Sequence, residues 1–133
     1  MLLKDLYPIR MLKDIIDNNE NYQPGLSIDC VIFGFHDNQL KVLLIKVERA
    51  NKWSLPGGFI PVDQDIDTAA ITVLNGRTGV DGVFLRQFAT FGKVNRNHQH
   101  FDKKILEYLQ IEEEKGKWLT RRFVTIGYYA LVD

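Results

Sequence analysis

A chain of 133 residues fits one domain, and 45% apolar against 26% charged residues is an ordinary globular balance that can bury a core without disulfides or metals. The 17 basic residues cancel the 17 acidic ones, so no long-range field draws the chain to nucleic acid or to an anionic membrane, and no direct DNA binding is expected of it. The single cysteine, Cys30, cannot form an internal disulfide, and Lys4, Asp5, Arg10, Lys13 and Asp14 interrupt the apolar N-terminus, so neither a membrane span nor an export signal is expected and a cytoplasmic location follows.

In chain order, Ile9, Leu12, Ile15 and Ile16 recur at helical spacing after Pro8, and Asp17, Asn18 and Asn19 supply a stop; a short amphipathic helix is predicted over 9–16. Residues 21–25 read as a polar linker punctuated by Pro24 and Gly25. A β-branched and aromatic strand over 26–35, a turn at Asp37-Asn38 and a return strand over 39–47 make a hairpin. Within it, Cys30 is expected to be a buried, inert thiol. The continuous run Val42, Leu43, Leu44, Ile45 predicts a strand covered on both faces, hence a sheet with a layer on each side. A short strand over 53–55, a loop at Pro56-Gly57-Gly58 and a helix over 65–75 follow. That helix has Asp65 as N-cap, Asp67 in its first turn and a buried stripe of Ile66, Ala69, Ala70, Val73 and Leu74. Strands are predicted over 83–93 and 123–132. Between them, 103–114 reads as a helix whose charges oppose its dipole, lysines first and Glu112, Glu113 and Glu114 last, so it is marginal in isolation.

Trp53-Ser54-Leu55-Pro56-Gly57-Gly58-Phe59, the helix after it and then Thr78-Gly79-Val80 resemble the entry to and exit from the box of the Nudix family. That signature runs Gly-x5-Glu-x7-Arg-Glu-U-x-Glu-Glu-x-Gly-U, with U aliphatic. With Gly58 as its first glycine, Leu74, Gly79 and Val80 fall in register without a gap. The resemblance covers residues 25–132, from the hairpin before the box to the later strands. It implies an α/β fold, a Nudix-like α/β/α sandwich with a mixed β-sheet, as a single domain over 1–133. Residues 1–24 are its N-terminal helix and linker and 25–132 its Nudix core, without the closing strands and helix usual in the family.

The family's loop–helix–loop holds divalent metal against a diphosphate. Here Gln64 stands at the first glutamate position, Thr72 at the arginine, Val73 at the next glutamate, and Gly76 and Arg77 at the final pair. Mg²⁺ is a hard cation that needs several converging oxygen ligands, which this set does not supply. A guanidinium in place of a carboxylate changes the local charge by two units, repelling metal and attracting anions. Gly76 is also expected to fray the helix end, at roughly 1 kcal/mol relative to alanine. Asp63, Asp65 and Asp67 alternate like the start of a calcium loop, but Thr68 and Leu74 occupy the positions that need Gly and Glu. His98, His100 and Asp102 have ligand types suited to zinc, with a solvated polar loop as the plainer reading. No cofactor is therefore expected, Mg²⁺ entering only if hydrolysis survives.

Gly34-Phe35, the degenerate box and Phe91-Gly92-Lys93-Val94-Asn95-Arg96-Asn97 are together similar to the sensor domains of bacterial Nudix-related transcription regulators, which recognise ADP-ribose or pentose sugars and carry a winged helix for DNA. The resemblance implies a noncatalytic domain that binds a small sugar or nucleotide-type ligand. Candidate contacts are Trp53 for stacking, Lys46, Arg77, Lys93 and Arg96 for phosphate or hydroxyl groups, and Gly57 and Gly58 for backbone shape. Solvated cations and a rim or core tryptophan are the bland readings. Two alternatives stay open. One is a divergent Nudix hydrolase of nucleoside diphosphate derivatives, with carboxylates outside the box such as Glu48, Glu107 or Glu112 to Glu114. The other is a protein-interaction module, compatible with a homodimer, using the N-terminal helix or residues 103–117.

Overall fold

The computed structural model describes residues 2–7, 9–47, 52–95, 106–107 and 110–132. They form β1 (Leu2–Tyr7), α1 (Ile9–Asp17), one 3-10 turn (Asn19–Asn21), β2 (Tyr22–His36), β3 (Gln39–Val47), β4 (Lys52–Ser54), β5 (Gly57–Pro61), α2 (Ile66–Thr78), β6 (Arg86–Phe91), α3 (Glu113–Thr120) and β7 (Val124–Val132).

β2 is the spine of a mixed sheet. Its C-terminal end pairs antiparallel with β3 through a tight turn, in which Asp37 and Asn38 take φ of 53° and 60°, the left-handed pair that matches strand twist. Its N-terminal half pairs antiparallel with β5, Asp29 opposite Gly57. It also runs parallel to β7, from Leu26 beside Val124 to Gly34 beside Val132. The order is β1-β3-β2-β7-β6, with β4 on β3 and β5 on β2.

Because successive strand residues point to opposite faces, the sheet serves two cores, β5 giving Ile60 to one and Phe59 to the other. On one face Ile28, Cys30, Ile32, Ile126, Tyr128 and Ala130 meet Ala69, Ala70 and Leu74 of α2. Alanines there let the helix backbone approach the sheet closely. The Tyr128 hydroxyl, which would be costly to bury alone, donates a short hydrogen bond to Asp67 in the first turn of α2. On the other face Leu12 and Ile16 of α1 and Leu119 of α3 pack with Ile45, Phe59 and Phe123. Phe59 lies 5.1 Å from Trp118 and 5.7 Å from Phe123, ring centre to ring centre. Ser27 Oγ and Thr125 Oγ1 share a buried 2.8 Å hydrogen bond on this second face. The α/β/α sandwich is therefore present.

Several local expectations change. Of the linker over 21–25, Asn21 ends the 3-10 turn and 22–25 are taken into β2, Tyr22 pairing with Pro61 and a register shift absorbing Pro24 and Gly25, whose φ is 74°. Gly57 and Gly58 are strand residues, since β2 supplies partners that local sequence does not reveal. α2 does not fray at Gly76 but continues to Thr78, where Gly79 at φ 74° closes it by donating its N–H to Asn75 O at 2.8 Å. Asp65 stands at the N-cap position without a side-chain cap bond. Ile66 leaves the buried stripe and is exposed. Of the helix read over 103–114, Leu106 and Glu107 are helical, while 103–105 and 108–109 lie outside the described residues. Gln110 then turns at φ 56°, and Glu113 and Glu114 open α3 instead of ending a helix. Their charges complement the dipole there, with Lys117 in the last turn.

Candidate ligand-binding face

α1 and α3 cover only part of the second sheet face. Toward the C-terminal end of β7 and over β6 no described element lies on it, and an aromatic strip is left open: Phe88 is 49% exposed, Phe91 44% and Tyr129 40%. Gly127 makes the strip. A Cβ there would stand 3.0 Å from the Phe88 ring and 3.1 Å from that of Phe91, so both rings lie across bare backbone. Phe88 sits where the β6–β7 register shifts between Gln87 and Ala89, which turns an extra residue onto this face. Its ring meets Phe91 and Tyr129 edge to face, at 6.2 and 6.0 Å.

Cations stand at both ends of the strip. Arg86 is the cross-strand neighbour of Tyr129, with its guanidinium 5.2 Å over the Phe84 ring. At the other end Arg122 Nη2 donates to Gly92 O at 2.5 Å, and Lys93 follows in the chain. Asp29 on β2 is the register neighbour of Gly127 on one side and of Gly57 on the other, and its carboxylate lies over Gly57. A side chain at Gly57 would collide with Asp29 Oδ1 and stand 2.9 Å from Ile28 O, so glycine is what lets β5 pass this acid. Aromatic faces, flanking cations and an acceptor suit a ligand with a flat ring, anionic groups and hydroxyls.

A second hollow, about 610 Å³, opens at the start of α2 between Gln23, Leu26, Ile60, Gln64, Asp65, Ile66 and Asp67. Gln64 Oε1 is buried there without a hydrogen-bond partner. Two aspartates on its wall disfavour an anionic ligand, which makes the aromatic face the better candidate.

The residues singled out from sequence fall in separate places. Trp53, 42% exposed, pairs with Lys46 in the β3–β4 register, the ammonium 6.0 Å from the ring centre. That edge is separated from β6 by β2 and β7. Gly57, Gly58 and Arg77 do come together: Arg77 Nε donates to Gly57 O at 2.9 Å, and Arg77 Nη1 lies 3.6 Å from Met11 Sδ. Lys93 stands just beyond β6. Arg96, Glu48, His98, His100 and Asp102 lie outside the described residues. Asp29, Phe88, Gly127 and Tyr129 escaped the sequence reading, and Phe91 entered it only within the motif Phe91 to Asn97 and not as a contact. The available signal was a glycine amid β-branched and aromatic strand residues at Ile126-Gly127-Tyr128-Tyr129.

At the metal positions of the box, Val73 packs on Gly58, its methyls 3.0 and 3.2 Å from where a Cβ would stand. Gly76 has nothing within 4 Å of its own Cβ position, and Arg77 is engaged as above. One position is apolar, one bare and one cationic, which does not fit Mg²⁺. Among the described residues no group of three or more His, Cys, Asp or Glu is placed to hold a metal, and no helix is long and apolar enough to cross a membrane.

No family model matches the chain. It is similar to the ADPR responsive transcriptional repressor NtrR of Acinetobacter baylyi, 29% identical over 112 residues, covering 73% of this chain and 45% of that protein. The chain thus spans less than half the length of that relative. Among solved structures it is similar to the NUDIX domain of Shewanella oneidensis NrtR complexed with ADP ribose, at 28% identity and TM-score 0.57, covering 91% of this chain and 70% of that one. Shewanella oneidensis NrtR in a separate structure gives 29% and 0.57, over 83% and 44%. A MutT/nudix family protein from Enterococcus faecalis, 21% identical with TM-score 0.58 over 92% and 44%, shares the fold.

Proposed function

We propose for this chain, a Nudix-like domain of the NrtR type, that it binds an ADP-ribose-like nucleotide without hydrolysing it and is the ligand-sensing part of a transcription regulator. The observation that carries the proposal is the open aromatic strip over Gly127. A purine ring stacks on Phe88 and Tyr129, Asp29 accepts from sugar hydroxyls, and the cations at the strip's ends meet the diphosphate. The likeness to a Nudix domain complexed with ADP ribose supports the ligand class. Noncatalysis rests on the box: with Val73, Gly76 and Arg77 at the carboxylate positions, no residue there generates a metal-bound nucleophile.

The test is calorimetric titration of ADP-ribose into the protein with chelator and again with Mg²⁺, with chromatographic recovery of the nucleotide. Binding in chelator and intact ligand are expected. Stacking is worth about 1–3 kcal/mol per base, so Phe88→Ala and Tyr129→Ala should each weaken binding about 5- to 150-fold. Trp53→Ala, on the distant edge, should change it little. Turnover in Mg²⁺, or binding lost with Trp53 and kept without Phe88, contradicts the reading.

A further inference from the structure

We propose that Arg77 is this domain's built-in replacement for a divalent ion: its guanidinium clasps the Gly57-Gly58 segment to the end of α2 and makes the box geometry independent of metal. In register with the Nudix signature Arg77 stands where a metal-holding glutamate is expected. A carboxylate there needs a cation to tie it to a neighbouring backbone carbonyl, because two acceptors do not attract each other. A guanidinium is donor and cation at once. The geometry follows that logic. Arg77 Nε reaches Gly57 O at 2.9 Å, Nη2 is 3.6 Å from the Cβ position of Gly58, and Nη1 is 3.6 Å from Met11 Sδ. One half-buried side chain thus links α2, β5 and α1. It sits in the last turn of α2, where the helix dipole favours positive charge. Val73 packs on Gly58 beside it and closes the same spot with methyl groups. A divalent ion brought here would meet a fixed positive charge, a carbonyl already engaged and no carboxylate from positions 73, 76 or 77, the nearby acid being Asp29 across from Gly57 on β2.

This inference rests on the box register and not on the ligand, so it stands or falls apart from the function proposed above. The experiment is thermal unfolding of the full chain, without nucleotide, in chelator and in millimolar Mn²⁺ or Mg²⁺. The native protein is expected to melt at the same temperature in both. Arg77→Ala is expected to melt several degrees lower and to stay indifferent to metal. The double variant Arg77→Glu with Gly76→Glu, the second change entering open space, is expected to be destabilised in chelator and to recover in Mn²⁺. Metal stabilisation of the native protein equal to that of the double variant overturns the proposal, as does an Arg77→Ala variant that melts like the native chain. Should the double variant fail to fold in either condition, amide hydrogen exchange of Arg77→Met decides. Faster exchange concentrated at Gly57, Gly58 and Phe59 is expected, and an exchange pattern identical to native overturns the clasp.

Discussion

Glycines at the box show how one residue type serves opposite ends. Gly57 is required by its surroundings: a methyl there meets the Asp29 carboxylate and the Ile28 carbonyl, and the carbonyl belongs to the spine strand and cannot turn aside. Gly76 is not required, being helical with open space around its Cβ position. Gly57→Ala should therefore cost about 1–3 kcal/mol, typical of forced overpacking. Gly76→Ala should stabilise by about 0.5–1 kcal/mol, from helix propensity and a less flexible unfolded chain. Urea unfolding of the two variants checks both signs, and a stabilised Gly57→Ala would show that β5 does not pass Asp29 as described. The sequence marks both positions as glycine and aligns both to the box, but it cannot separate them. The difference lies in what stands across the strand, 28 residues away in the chain at Asp29.

At the scale of elements, the readings that survive are those carried by local chemistry. Asp37-Asn38 makes its turn, β3 keeps its predicted bounds, and the alanine-rich stripe of α2 finds the sheet. Those that change depend on partners distant in sequence. Pro24 and Gly25 look like a linker until β5 and β7 pair across β2. Glu112 to Glu114 are a local exception: they look like a poor helix end until Gln110, just before them, breaks the chain. The register on the Nudix signature located Gly57, Gly58 and Arg77, and these do meet. The aromatic strip needed the fold, because β6 enters it through a register shift that reverses which of its residues face outward. Gly127→Ala tests the element directly. The added methyl should displace the Phe88 and Phe91 rings, both partly in solvent and free to move. Little change in melting temperature is expected, together with a loss of ADP-ribose affinity comparable to Phe88→Ala. Unchanged affinity would remove the strip from the site.

For the whole molecule, the core under α2 carries a consequence for pH. Cys30 and Tyr128 are both buried in it, on neighbouring strands in direct register. Burial, with a smaller contribution from the charge of Asp29, pushes the Cys30 thiol up from an ordinary 9.0 to about 12. Burial first, then the hydrogen bond to Asp67 and its charge, raises the Tyr128 hydroxyl as well. Both groups are neutral when protonated, and the folded state holds those protons more tightly than the unfolded chain does. Their stabilising effect is thus complete below the unfolded values and is lost as pH rises through the folded ones. With 17 acids balancing 17 bases, no large net charge masks this near neutrality. Unfolding free energy should be flat around neutral pH and fall from about pH 9 toward 12, the window set by Cys30. Cys30→Ala should flatten that decline. Its lower starting stability, from lost packing, is measured separately at pH 7. Urea titrations of both proteins at intervals across this range give the two slopes. Equal slopes would mean that Cys30 is not held protonated by the fold, and the close packing of α2 on β2 would have to be revised with it.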